Sequence, residues 1–220
     1  MTTPNDHRTK NEERRDSPVD REVVIVRTGS ANLASVVAAF DRAGARVRIT
    51  EDPRDAEIAS RLVVPGVGAF GAVARHLDSR GLGEPIAERV RAGRSTLAIC
   101  LGLQILAEAS EEDPGVRGLG VLSTTATRFA HGLRVPQLGW NRVRAGDGSR
   151  LLEDGTAYFA NSFKLDRIPD GWSGATADHG GRFVAALERG PVLACQFHPE
   201  LSGHWGQRLI ERWLDAGEES

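Results

Sequence analysis

TLAICLGLQILAEASEE, residues 96–112, is the stretch on which the fold turns. Thr96-Leu97-Ala98-Ile99 is a short continuous apolar run suited to a buried strand, and it passes without a loop into LGLQILAEA, which reads as a helix. A strand feeding straight into a helix is the unit of an open α/β sheet, where ligands lie beyond the carboxyl ends of the strands. Cys100 stands at that junction, with Ala98 and Gly102 as the small neighbours a sharp strand-to-helix turn needs. A helix N-terminus there favours the thiolate, the attacking form of cysteine. Position alone leaves two readings open, because one cysteine in an apolar run is more often a small buried hydrophobe than a nucleophile.

The same alternation extends upstream. EVVIVR (22–27) reads as a strand, ANLASVVAAFDRAG (31–44) as a helix closing on Gly44, and RVRIT (46–50) as the next strand. RLVVPGVGAFGAVARHL (61–77) repeats strand, Gly-rich turn and helix, and a further helix ends near Gly93. Strands alternating with helices imply a parallel sheet covered on both faces. After Gly118 the runs shorten: GLGVL, TATRF, RVPQLGW, AYFANSF, RFVAALERG and PVLACQF read as further strands, some antiparallel. GHWGQRLIERWLDAG (203–217) closes the chain as an amphipathic helix, with Trp205, Leu209, Ile210, Trp213 and Leu214 at helical spacing. The expected fold is a single α/β domain over 21–217, an open and mostly parallel sheet with helices on both faces and antiparallel strands in its C-terminal half.

Composition bounds the function. The chain has 220 residues, 40% hydrophobic and 26% charged, with a net charge of -2, which carries no basic excess for a nucleic-acid backbone. Residues 1–20 alternate charged and polar side chains with almost nothing to bury, so a solvated, disordered extension is expected there. That segment has no apolar core of a secretory signal, and no later run is long enough to span a membrane, so a soluble, cytoplasmic protein is expected. Two cysteines, Cys100 and Cys195, are too few for a disulfide framework or a zinc site, and neither metal nor cofactor is expected.

A nucleophilic cysteine needs a base, and HPE at 198–200 offers one. Pro199 favours an extended His198, so that His198 and Glu200 project to one side and the carboxylate can orient the imidazole. Cysteine, histidine and carboxylate are the nucleophile, base and orienter of acyl transfer; without Cys100 the same tripeptide would read as a surface turn. Strand parity in VLACQFHPE sets Cys195 with Phe197 and opposite His198, which makes Cys195 core. Donors for an oxyanion would come from the Leu101 N–H and from the turn Pro65-Gly66-Val67-Gly68, although such a turn by itself is weak evidence.

PGVGAFG, ICLGLQIL followed by SEE, VPQLGWN, YFANSF and QFHPELSG, in this order and covering roughly residues 22 to 216, resemble the glutamine amidotransferase subunits of imidazole glycerol phosphate synthases. The resemblance implies a flavodoxin-like class I amidotransferase fold and a Cys100-His198-Glu200 triad. It implies hydrolysis of glutamine to glutamate and ammonia through a thioester. The ammonia would pass to a separate (β/α)8-barrel cyclase subunit that forms imidazole glycerol phosphate and an aminoimidazole carboxamide ribonucleotide. By the same resemblance Gly66, Val67 and Gly68 match the oxyanion turn, in which a peptide flip presents the Val67 N–H. Gln104 and Glu112 match side chains near bound glutamine, and Ser162 and Phe163 the segment that holds it through backbone. Trp140 and Asn32 match partner-interface positions. Plainer readings are an ordinary helix residue for Gln104, a solvated one for Glu112 and core for Trp140.

The sequence departs from the family in places. Arg27-Thr28-Gly29-Ser30-Ala31-Asn32 keeps the glycine and asparagine of the usual motif but loses its acid and aromatic residue. Gln137 and Asn161 stand where histidines are common, and Phe163-Lys164 where a tyrosine pair is common; the side chain of Asn161 is expected to turn away from the glutamine. The glutaminase subunit of pyridoxal phosphate synthase shares FHPEL but carries a Gly-Gly-Glu-Ser turn where PGVGAF stands. A catalytically idle regulatory module on this fold would have little reason to keep all three triad residues.

Overall fold

The computed structural model describes residues 21–29 and 32–217; the charged segment 1–20 and the Ser30-Ala31 pair of the altered motif lie outside the described residues. In chain order the elements are β1 (Glu22–Val26), α1 (Leu33–Arg42), β2 (Arg46–Thr50), α2 (Pro53–Ile58), β3 (Leu62–Gly66), α3 (Phe70–Ser79) and α4 (Gly83–Arg91). Next come β4 (Thr96–Cys100), α5 (Leu101–Ile105), β5 (Ala107–Ser110), β6 (Leu122–Arg128), β7 (Gln137–Ala145), β8 (Gly155–Asn161) and β9 (Phe163–Lys164). The chain closes with β10 (Ser173–Asp178), β11 (Arg182–Arg189), β12 (Val192–Cys195), a 3-10 turn at Pro199–Leu201 and α6 (Gly203–Ala216).

Nine strands form one sheet in the order β2-β1-β3-β4-β12-β11-β10-β7-β8. It is parallel from β2 through β12 and antiparallel from β12 outward, so the antiparallel strands come from the C-terminal half, as the shorter runs there imply. A smaller sheet, β5-β6-β9, packs beside it. Because successive strand residues face opposite ways, the central strands feed two cores. Val23, Ile25, Leu97, Ile99, Leu193 and Cys195 meet α1 and α6 on one face, where Phe40 and Trp213 pack edge to face with centroids 5.9 Å apart. Val24, Val26, Val64, Ala98, Val192 and Ala194 meet Ala56, Leu77, Ile86 and Leu103 on the other. Each of the valines, leucines and isoleucines among them contributes about 1.5–3 kcal/mol of burial. Helices therefore do cover both faces.

Several local readings change. LGLQILAEA does not form one helix: α5 stops after Ile105, and Ala107–Ser110 turns into strand β5 beside β6. Gly118 is the reason. A Cβ there would sit 2.2 Å from the Ala107 carbonyl, and the loop it lets in ties its own amides back to Ile105, Leu106, Ala107 and Glu108. GLGVL is that loop, and only its final Leu122 opens β6. SGATAD forms β10, which was not foreseen because Gly and Ala give no alternating pattern; PRDAEI forms the short helix α2, capped by Asp52 accepting from the Arg54 N–H at 2.8 Å.

β4 lies centrally and is buried along its whole length, and its last residue, Cys100, takes φ 55° and ψ -107°. It is the one non-glycine residue with positive φ among the described residues. The following turn fits only because Gly102 lacks a side chain: a Cβ would lie 2.0 Å from the Val64 carbonyl oxygen. Gly66, paired with Cys100 in register, is also tightly packed, its Cβ position 3.0 Å from Leu101 Cβ and 3.1 Å from Gly102 N. Gly102→Ala should therefore destabilise the fold by about 1–3 kcal/mol or more through forced separation of β3 from α5. Urea titration measures this; unchanged stability would mean the turn relaxes freely.

Candidate active site

Beyond the carboxyl ends of β3, β4 and β12 lies a cavity of about 200 Å3. β4 and α5 supply Cys100, Leu101 and Gln104; the loop after β3 supplies Val67 and Gly68; the junction of β8 and β9 supplies Ser162 and Phe163; His198 and Glu112 complete the wall. Nine residues singled out from the sequence thus converge on one space. Gly66 does not line it but holds the turn against Cys100.

His198 and Glu200 meet as their side chains were expected to, though not as two residues of an extended segment. His198 is extended, at φ -100° and ψ 96°, and Glu200 lies in the 3-10 turn that begins at Pro199. His198 Nδ1 is 2.8 Å from Glu200 Oε1, with both side chains at least 92% buried, so Nδ1 carries a proton toward the carboxylate and Nε2 is left for the cavity. Burial lowers the His198 pKa, but hydrogen bonds to Cys100 and Glu200 and the charges of both outweigh it and push the imidazole up to about 10. Ser202 holds the segment in place: its hydroxyl donates to the His198 carbonyl at 2.6 Å and accepts from the Tyr158 N–H at 2.9 Å. Cys195 is fully buried in the core, as parity required, and burial pushes its thiol well above the ordinary value.

The Gly-rich turn is anchored at both ends. Before it, Thr28 Oγ1 donates to the Pro65 carbonyl at 2.8 Å. After it, Glu112 Oε2 accepts from the Phe70 N–H at 2.8 Å and Asp113 Oδ2 from the Gly71 N–H at 2.7 Å, so two carboxylates cap α3 where its own Ala69 cannot. Glu112 is thus not a solvated residue. Leu101 opens α5, and its N–H has no partner within that helix.

Other positions resolve differently. Asn161, expected to turn away, lines the cavity, and its side-chain amide donates to the Phe163 carbonyl at 3.0 Å. It faces Gln137 across β7 and β8, and both are buried. Trp140 is not core: it is 59% exposed on β7 beside Leu138, which is 66% exposed, and meets Tyr158 edge to face. The Tyr158 carbonyl accepts from the His198 N–H at 2.9 Å, which places this apolar patch one strand from the cavity. Asn32 lies away from the cavity and caps α1 through Ser35. Lys164 pairs with Asp166 and Thr127 rather than entering the cavity.

Sequence reasoning passed over Gln196. It is fully buried, and its Nε2 lies 3.7 Å from Cys100 Sγ. The signal was there in the strand parity, since Gln196 shares its side of the chain with His198. A wider groove of about 620 Å3 runs between α3, α4 and the loop after β5, lined by Arg75, Asp78, Glu84 and Arg117, and holds none of these groups. Among the described residues no cluster of His, Cys, Asp and Glu is disposed to hold a metal ion, and no helix is long and apolar enough to cross a membrane.

Residues 24–216 match the glutamine amidotransferase class-I family. The chain is 40% identical over 195 residues to the imidazole glycerol phosphate synthase subunit HisH of Deinococcus radiodurans, covering 86% of this chain and 91% of the relative. It is 40% identical over 209 residues to the subunit of that name from Leifsonia xyli, covering 90% and 100%. It is 36% identical over 209 residues to imidazole glycerol phosphate synthase hisHF, chloroplastic, of Arabidopsis thaliana, covering 91% of this chain but 35% of that longer relative. A solved structure described as a glutamine amidotransferase superposes with a TM-score of 0.71 at 24% identity, over 89% of this chain and 98% of the other, and speaks for the fold. The chain belongs to the class I glutamine amidotransferases and, within them, to the imidazole glycerol phosphate synthase subunit HisH family.

Proposed function

We propose that residues 21–217 form the glutaminase unit of an imidazole glycerol phosphate synthase, serving histidine biosynthesis, with Cys100, His198 and Glu200 as its triad. One observation carries the reading: an imidazole held by a buried carboxylate at 2.8 Å reaches the same cavity as a cysteine set on a strained strand-to-helix turn. The thiolate of Cys100 attacks the carboxamide carbon of glutamine. The N–H groups of Leu101 and of the reoriented Val67 peptide receive the oxyanion, and His198 passes a proton to the departing ammonia, leaving a thioester on Cys100. Water, activated by the same imidazole, then releases glutamate. Gln104, Glu112, Ser162 and Phe163, with Gly66 and Gly68 shaping the turn, hold the glutamine. The ammonia passes to a (β/α)8-barrel cyclase subunit docked over Trp140, Leu138 and the cavity mouth.

Cys100→Ser in the assembled synthase should abolish glutamine-dependent product formation, by on the order of a millionfold, while synthesis from ammonium salts continues. Loss of both activities would defeat the division of labour between subunits. Trp140→Ala should weaken binding to the cyclase by about 2 kcal/mol, close to thirtyfold in Kd by titration calorimetry, with folding unchanged by circular dichroism. Unaltered affinity would move the docking surface elsewhere.

The charge state of His198 gives a stability test. Its pKa rises from 6.5 to about 10 on folding, so its contribution is fully present below pH 6.5 and is lost as pH climbs to about 10. The stability difference between wild type and His198→Gln, measured by urea titration at a series of pH values, should shrink across that interval. A constant difference would show that the imidazole is neutral in the folded chain.

A further inference from the structure

The sulfur of Cys100 has a neighbour that the triad does not account for. Cys195 pairs with Ile99 in the parallel register of β12 and β4, so the next residue on β12's side, Gln196, stands beside Cys100 with no exposed surface and its Nε2 3.7 Å from Sγ. Which end of this amide faces the sulfur is settled by chemistry. The Phe163 carbonyl can only accept, so Gln104 presents its NH2 group to it, at 3.0 Å. The same nitrogen donates to Gln196 Oε1 at 2.9 Å, which occupies the oxygen end of Gln196 and turns its own NH2 group toward Cys100. A neutral thiol is a poor acceptor, whereas an N–H donor aimed at a sulfur anion in a dry site makes a charge-assisted hydrogen bond.

We propose that Gln196 is a catalytic residue: it donates a hydrogen bond to Cys100 Sγ that holds the sulfur as the anion and aims it into the cavity. Gln104 and the Phe163 carbonyl fix its orientation, so the segment that holds glutamine is connected to the nucleophile by three hydrogen-bonding groups in series. This rests on Cys100 being the nucleophile of the proposed glutaminase.

The test separates sulfur reactivity from glutamine turnover. Iodoacetamide alkylates the thiolate, forming a carbon–sulfur bond as iodide leaves with the carbon–iodine pair, and the Cys100→Ser chain identifies Cys100 as the site of modification. Gln196→Glu keeps an oxygen for Gln104 but turns a second oxygen on the sulfur; Gln196→Met fills the same space with no donor. In each folded variant the full chain should be alkylated at neutral pH more slowly by about tenfold or more, the loss of one hydrogen bond to a charged group. In the assembled synthase kcat for glutamine should fall by a similar factor with KM nearly constant, and the thiolate absorbance at 240 nm should drop. Alkylation and kcat unchanged in Gln196→Met would reduce Gln196 to packing and overturn the proposal, as would a raised KM with unchanged alkylation. A wild-type synthase that alkylates at Cys100 yet releases no ammonia from glutamine would overturn the glutaminase reading instead, leaving the effect of Gln196 on the sulfur to be judged by alkylation alone.

Discussion

The left-handed backbone at Cys100 is the constraint on which the site depends. A β strand arriving at the sheet's edge would normally be followed by a loop, and its last side chain would point into one face of the sheet. Here the chain reverses hand at one residue, with φ 55°, and starts a helix at the next, so Sγ is thrust out above the strand ends. Such a conformation is unfavourable for a residue with a Cβ and persists only where its surroundings leave no alternative. Those surroundings are the Val64 carbonyl against the bare Cα of Gly102 and the bare Cα of Gly66 against Leu101, with β4 buried between β3 and β12. Two glycines, one at the end of β3 and one in α5, thus turn packing pressure into the placement of one sulfur at the cavity.

The sheet order explains why the other groups arrive at the same place. β12 is the last strand in sequence but inserts beside β4, so the segment after it, from Gln196 to Glu200, is delivered next to Cys100 although ninety-odd residues separate them. On the far side of β12 the sheet becomes antiparallel, and β8 returns toward the same edge, carrying Asn161, Ser162 and Phe163. Tyr158 joins β8 to the His198 segment through two hydrogen bonds, and Ser202 closes that segment on itself with a third. The cavity wall from β8 and the His198 imidazole are therefore one mechanical unit rather than two independent loops.

Much of this was legible in the residues. Continuous apolar runs marked β1, β3, β4 and β12, and strand parity in VLACQFHPE separated the core cysteine from the histidine that reaches the cavity. What escaped had weak or misleading local patterns. The stretch LGLQILAEA carries helical spacing throughout, yet Gly118, nine residues beyond its end, admits a loop that converts its second half to strand. β10 is built from Gly, Ala, Ser and Thr, whose low contrast gives no period. For Gln196, strand parity gives only its side of the chain, shared with His198; its chemical role appears when its neighbours Gln104 and Cys100 are known in three dimensions.

The altered residues after β1 acquire a physical meaning from the same geometry. The turn that would present the oxyanion donor hangs between Pro65 and Phe70, and both ends are tied from outside the β3-α3 segment, by the Thr28 hydroxyl and the Glu112 carboxylate. Thr28 is buried and bonds the carbonyl of the residue immediately before Gly66, so its short hydroxyl fixes the start of the turn by a hydrogen bond. Glu112 both lines the cavity and caps α3, which means that a ligand touching its carboxylate would loosen or tighten the turn through the Phe70 N–H. The turn from Gly66 to Ala69 is thus held by one tie from the loop after β1 and by one from a residue of the cavity wall.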